Sequence, residues 1–276
     1  MSNDVSDGFD NVASTWGKKG PTYWNRYGES LVELIGIFKG AAVLDVGTGR
    51  GACLFPTLVK IGNTGRIIGI DASKEMVNQT REEIEKKGIT SAEILQMDAG
   101  IMDFPEEEFD FVLCGFGIPF FNVEDIIRVL KKKGKAGFSF FCQQDDDLSI
   151  LFNKYLAPHL MNSDKKKSAS QKQINFPINT PEGMKNYLKS LGFSHISITI
   201  EQDSFFYNNK EEWWEEMNWW RELWPYPLRK RFKRLRKENP LILESFQKEA
   251  FNLLKNLKTN NGYLVKRHVM YSIAEK

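Results

Sequence analysis

Three glycines and three aspartates carry the chemistry most visible in this sequence. Gly47, Gly49 and Gly51 punctuate the segment VLDVGTGRGACLF (43–55), between an apolar run and an amphipathic one. Glycine permits positive φ and lets the backbone approach a ligand closely. The helix that follows would present free N–H groups and a partial positive charge. Gly47-x-Gly49-x-x-Ala52 formally satisfies the dinucleotide fingerprint, with Asp71 near the distance where a ribose-binding acid is expected. A nicotinamide cofactor therefore competes for this loop. The neighbours favour S-adenosylmethionine (SAM). Asp45, two residues before the first glycine, would repel a pyrophosphate but could hold the ammonium of a methionine moiety. Asp71, followed by Ala72, suits a ribose diol. Asp98, followed by Ala99, ends a third apolar run and could read an adenine edge.

The elements that must position these residues alternate. AAVLDV (41–46) is a continuous apolar run, the pattern of a strand buried on both faces. RIIGI (66–70), EILQM (93–97), FDFVLC (109–114) and KAGFSFFC (135–142) read as the second to fifth strands. Helices fall between: one with its apolar face on Leu31, Leu34, Ile35 and Phe38, ended by Gly40; one beginning within CLFPTLVKIG; one capped by Ser73, striped by Met76, Val77, Thr80 and Ile84, and stopped by Gly88; and VEDIIRVLK (123–131). This alternation predicts an α/β, Rossmann-like, doubly wound parallel sheet. Beyond it, DLSILFNKYLAPHL (147–160) reads as helix, 163–172 as a mobile polar loop, 180–193 as a capped helix and 195–202 as an alternating strand. A long helical stretch (210–258) and a closing strand (262–276) follow. The expected fold is one seven-stranded sheet, its last strand antiparallel, with a helical lid inserted before that strand. The expected divisions are an N-terminal lid segment (1–30), a cofactor core (31–142), the rest of the core (143–202), the helical lid (203–260) and the final strand (261–276).

VLDVGTGRG, GIDASKEMV, MDAGIMDFPEEEFDFVLCGFGI and IIRVLKKKGKAGF resemble, in order and spacing, the motifs of class I SAM-dependent methyltransferases. The resemblance covers about residues 9–142 and is closest to the ubiquinone/menaquinone-type C-methyltransferases and related small-molecule enzymes. It implies that Gly47, Gly49 and Gly51 pack against the methionine part of SAM. It further implies that Asp71 binds the ribose, that Asp98 and Ala99 bind adenine, and that Gly115 floors the pocket. FDNVASTW resembles a family segment that folds over the cofactor, which makes Trp16, Tyr23 and Tyr27 lid or stacking candidates. Tyr27 is expected beside the cofactor; Trp16, Tyr23 and Phe116 are expected near the acceptor. The sequence departs from the family at LKKKGK, where LKPGG is usual, and at Ile118, Pro119 and Phe120, where many relatives carry a His pair.

Other features have plainer readings. Asp145 and its neighbours could ligate Mg²⁺, but Asp147 as a helix cap explains them better, so no metal is expected. His159, His195 and His268 have no partner spacing. If the acceptor must lose a proton, Tyr23, His159 and Asp145 are the candidates, and solvent suffices for an acidic acceptor. Trp213, Met217, Trp220 and Trp224 form one helical stripe, most of it packing onto the sheet, with Trp213 and Trp220 as acceptor contacts. RKRFKRLRK (229–237) could serve an RNA methyltransferase, though a solvated helix fits better.

Composition bounds all of this. The 276 residues are 41% hydrophobic, 13% aromatic and 27% charged, which excludes wholesale disorder. A net charge of +2 gives no argument for a nucleic-acid or membrane partner. No apolar run approaches the roughly 20 residues of a membrane span. The start lacks the basic head and apolar core of a secretion signal. Cys53, Cys114 and Cys142 read as reduced core residues of a cytoplasmic protein. The expected activity is direct methyl transfer from SAM to an O, N or C nucleophile of a small, largely apolar or aromatic acceptor. An NAD(P)-dependent oxidoreductase and an RNA methyltransferase are the alternatives.

Overall fold

The computed structural model describes residues 3–18, 22–118, 123–142, 147–160, 178–223 and 226–276. Its centre is a sheet of β1 (Ala42–Val46), β2 (Arg66–Asp71), β3 (Ala92–Gln96), β4 (Phe109–Gly115), β5 (Leu130–Phe141), β6 (Ser194–Tyr207), β7 (Lys258–Thr259) and β8 (Gly262–Glu275). The order is β3-β2-β1-β4-β5-β8-β6, with the two-residue β7 pairing β8. β1 to β5 pair in parallel, and β8 runs antiparallel to both β5 and β6. The seven expected strands are present and β7 adds a short eighth. Strand order reverses between β1 and β4. A crevice opens at the carboxyl ends of strands at such a point.

Alternation within β1 explains the two-sided core. Val43 faces Leu31, Ile35 and Tyr27 of α2 (Trp24–Ile35), together with Leu54 and Ile61 of α3 (Leu54–Ile61) and Val77 and Ile84 of α4 (Lys74–Lys86). Leu44 and Val46 face Ile126 and Val129 of α5 (Glu124–Val129), beside Met184 and Leu188 of α8 (Pro181–Ser190). A parallel strand covered by helices on both sides needs apolar residues at every position.

Some boundaries move. α2 ends at Gly36, which takes φ +75°, rather than at Gly40, and leaves Leu34 and Phe38 43% and 55% exposed. The apolar spacing ran past a glycine in the left-handed region, where a helix stops. β5 begins at Leu130, five residues early, because 130–134 stays in the sheet through a bulge opposite Phe109 and Phe111, with Lys133 at φ +63°. The 147–160 helix divides at Leu156 into α6 (Asp147–Tyr155) and α7 (Ala157–Leu160). The long helical stretch is three helices, α9 (Lys210–Glu222), α10 (Tyr226–Glu238) and α11 (Pro240–Leu254), the last two separated before Pro240. The 163–172 segment lies outside the described residues.

Gly28 shows how α2 is seated against the glycine segment. A Cβ there would collide with the backbone carbonyl of Ala52 and crowd Cys53 N. Gly28→Ala is therefore expected to cost about 1–3 kcal/mol by overpacking, although alanine is the better helix former. Urea unfolding reads this, and an unchanged midpoint would show that α2 does not seat this closely.

Candidate functional site

β1 ends at Val46, and the chain turns because Gly47 and Gly49 take φ +70° and +52°. The N–H groups of Gly47 and Thr48 both donate to Ile70 O, at 2.8 and 3.0 Å, which pins the loop to the end of β2. A Cβ on Gly47 would meet no atom within 4 Å. The space beside it is open, and Gly47 and Gly49 both line a cavity of about 180 Å³. Gly51 has a different task. Its missing Cβ makes room for the Phe55 ring, and it does not line the cavity.

The three aspartates sit at the ends of successive strands but in unlike settings. Asp45 is buried under the loop, with Thr48 Oγ1 donating to it at 2.7 Å. Burial, with a smaller push from the Asp71 charge, raises its carboxyl to about 7 against the opposing bonds from Thr48 and the Leu54 N–H. Asp71 lines the cavity. The Gly49 N–H donates to its Oδ2 at 2.9 Å and the Ser73 N–H to its Oδ1 at 2.8 Å. Burial still lifts it to about 6. Asp98 accepts from the Gly100 N–H at 2.9 Å and closes a turn. Ala99, Ala72 and Gly115 line the cavity, while Asp45 and Asp98 do not.

The other end of the same cavity is aromatic. Trp16 and Trp24 stack at 5.2 Å and 21°; Phe116 meets Trp24 edge-on at 5.2 Å and Phe141 at 4.8 Å. Phe9, Phe140 and Leu223 complete this end. Phe116 holds φ +59°, costly for an aromatic residue, while its N–H donates to Ser139 O at 3.0 Å. Strain of that kind at the carboxyl edge of β4 aims the ring into the cavity.

The N-terminal segment covers the loop. Asp10, in α1 (Asn3–Val12), accepts from Ser73 Oγ at 2.5 Å and from the Glu75 N–H at 3.0 Å, an acid at the N-terminus of α4. Arg50 reaches from the glycine loop to Ala13 O at 3.2 Å and to Gln79 at 2.5 Å. Trp219 of α9 lies 5.4 Å from Trp16, so the helical insertion and the N-terminal segment meet over the site.

Several expected site residues lie elsewhere. Tyr27 is fully buried, its hydroxyl donating to Asp203 at 2.9 Å, and it does not line the cavity. Tyr23 is also buried, its hydroxyl on the Arg267 guanidinium, which itself bonds Glu216 at 2.8 Å. Burial drives that hydroxyl far above its usual range, so it is no base at neutral pH. The helix phase explains both: Tyr23 and Tyr27 share the core face, and Trp24 is the ring that reaches the cavity. Trp213 packs on Tyr207, Ala250 and Leu254, away from the cavity. His159 is exposed on α7. Asp145 and the Trp220 side chain lie outside the described residues. The lining residues that the sequence reading passed over are Phe9, Trp24, Ile70, Met76, Met97, Gly117, Phe140, Phe141 and Leu223. Phe140 and Phe141 were within reach of it, since they end a strand at the functional edge.

Residues 43–134 match the family model described as "Methyltransferase domain". Aklanonic acid methyltransferase DauC of Streptomyces sp. (strain C5) is 35% identical over 116 residues, covering 42% of this chain and 53% of that one. Demethylmenaquinone methyltransferase of Listeria welshimeri is 29% identical over 128 residues, covering 46% and 52%. The chain spans about half the length of the curated relatives it matches. The crystal structure of YcgJ from Bacillus subtilis shares the fold, with a TM-score of 0.57 at 16% identity over 91% of this chain and 98% of that one. Among the described residues no helix is long and apolar enough to cross a membrane. Ordered motifs, strand order and family match converge on one stretch of chain, and residues 43–134 are similar to the methyltransferase domain of class I, SAM-dependent enzymes.

Proposed function

We propose that this protein transfers the methyl group of SAM to an O, N or C nucleophile of a small, largely apolar or aromatic acceptor. One observation carries the reading. A single cavity joins the glycine loop and Asp71 to a chamber walled by Trp16, Trp24, Phe116 and Phe141.

The residues fit the cofactor. The space a Gly47 side chain would fill is open, and the Asp71 carboxylate lines the cavity with lone pairs to spare for a diol. Asp45 behind the loop favours a cationic ligand. Ala99 and Gly115 offer backbone at the adenine end, and Asp98 shapes the turn that presents Ala99. Bound there, SAM supplies a methyl group already activated on a sulfonium.

The protein then has to align two reactants, which can be worth about 7–11 kcal/mol. The aromatic walls hold a flat acceptor, and the N-terminal segment with α9 excludes water. Asp71 is the one titratable side chain among the described lining residues, and its oxygens serve backbone N–H groups. An acceptor acidic enough to ionise before transfer, such as an enol or an acidic phenol, suits a site with no free base among its described lining residues. Two relatives are named for small molecules, aklanonic acid and demethylmenaquinone, which supports this class. We take residues 1–276 as one functional unit, with 203–260 as its lid. Free Cys53, Cys114 and Cys142 support a reducing, cytoplasmic setting.

Calorimetric titration with S-adenosylhomocysteine, with NADH as control, is the test. Micromolar binding of the first and none of the second is expected. The reverse would overturn the methyltransferase reading in favour of a dehydrogenase.

A further inference from the structure

The basic segment 229–237 divides when α10 folds. Arg231 donates to Leu160 O at 2.7 Å, and Arg234 makes two bonds to Glu238 at 2.9 Å. Those cations serve the structure. Arg229, Lys233 and Arg236 instead fall at i, i+4 and i+7, one stripe of the helix. They line a second cavity of about 490 Å³, between α9, α10 and α11.

Arg221 of α9 joins them, sandwiched between the Trp214 and Phe232 rings at 4.8 and 4.9 Å. Its hydrogen-bond partner is Asn218. Four cationic side chains thus converge, and Glu244 is the one acid lining the cavity among the described residues. None of the four forms an ion pair among those residues, and Arg229 Nε is buried without a hydrogen-bond partner. Burial and the nearby Arg236 charge lower Arg221 to about 10. Arg221 and Arg229 are half-buried while Lys233 and Arg236 are exposed, and positive charge held in the half-buried places is costly unless something pairs it. Arginine forks fit the oxygens of phosphate and carboxylate, and Trp214, Phe232 and Phe246 give the cavity an aromatic lining for a flat body to pack against.

We propose that this cavity is a second ligand site, taking a small aromatic molecule that bears a phosphate or carboxylate. It is separate from the methyl-transfer cavity. Trp214, Asn218 and Arg221 occupy one face of α9, while Trp219 and Leu223, which close over the first cavity, lie about opposite at 100° per residue. A cavity between three helices with aromatic walls, lined by only part of the basic segment, argues for a small molecule over a nucleic acid. A nucleic acid would use the outward cations as well.

Phenyl phosphate, inorganic phosphate and benzoate are to be titrated at constant ionic strength, followed by tryptophan fluorescence and melting temperature. Saturable binding of phenyl phosphate, tighter than that of inorganic phosphate, is expected. The order of phenyl phosphate and benzoate identifies the head group. Arg229→Gln should weaken binding at least tenfold, while Arg234→Gln, on the outward face, leaves it unchanged. Lys233→Gln, at an exposed position, repeats the test without risk to folding. The proposal fails if phenyl phosphate binds no tighter than inorganic phosphate, or binds Arg229→Gln and Lys233→Gln as it binds the wild type. A short RNA bound in a salt-dependent way, and weakened equally by Arg229→Gln and Arg234→Gln, would overturn it in favour of a nucleic-acid surface.

Discussion

Asp71→Ala should weaken S-adenosylhomocysteine binding by at least about 100-fold, with little change in the stability of the ligand-free protein. The first half follows from charge. A carboxylate accepting two ribose hydroxyls makes two charge-assisted hydrogen bonds, each worth about 1.5–3 kcal/mol. The second half follows from two effects of opposite sign. The substitution orphans the Gly49 and Ser73 N–H groups that Asp71 now accepts from. It also removes a buried carboxyl whose ionisation burial already resists. Calorimetry and a thermal melt on the same sample separate the two. If affinity holds and stability falls, Asp71 is a clamp between β2, the loop and α4, and the ribose assignment is lost. A pH series adds a check. With Asp71 near 6, the wild-type affinity should fall as pH drops below that value, because a protonated carboxyl offers a diol fewer acceptors.

The parts of this site that were legible in the sequence are those that backbone alone dictates. Gly47 and Gly49 declare themselves because no other residue takes those φ values cheaply next to a ligand. Asp71 and Ala99 declare themselves because a strand end in a parallel sheet points at the crevice. The sheet was legible for the same reason: five short, largely apolar runs alternating with amphipathic ones leave little choice but strands between two helical layers. What stayed hidden depends on helix phase and on partners far away in the chain. Tyr23, Trp24 and Tyr27 are all aromatic, and a start at Trp24 decides which of them meets Asp203 and Arg267, 176 and 244 positions later, and which lines the cavity. The tryptophans of α9 posed the same problem more sharply. That helix is apolar on more than one face, since Trp213 packs toward α11, Trp214 toward Phe246 and Trp219 toward Trp16. A stripe read from spacing cannot rank three faces that are all covered.

Asp45→Asn should stabilise the ligand-free protein and weaken its cofactor binding, both above pH 7 and neither at pH 5. The carboxyl of Asp45 stands near 7 in the fold, against 3.8 for the ordinary group. A raised carboxyl holds its proton more firmly folded than unfolded. Its contribution to stability is therefore complete below about pH 4 and is lost as pH rises through 7. Across pH 5 to 8 that loss is about 2–3 kcal/mol for a fully buried group, at about 1.4 kcal/mol per pKa unit. Asparagine keeps the shape and can still accept the Thr48 hydroxyl, but it carries no charge to desolvate. The variant should thus outlast the wild type in a melt at pH 8, and match it more nearly at pH 5. Binding should run the other way. The ammonium on the amino-acid end of the ligand favours the ionised Asp45, so binding releases a proton and wild-type affinity climbs as pH rises through 7. The variant should lose at least tenfold in S-adenosylhomocysteine affinity at pH 8, and little at pH 5, where wild-type Asp45 is already neutral. A variant less stable than the wild type at pH 8 would mean that Asp45 is there to hold Thr48 and the start of α3. A variant more stable and weaker in binding would mean that the buried charge is kept, at a cost to the fold, for the ligand.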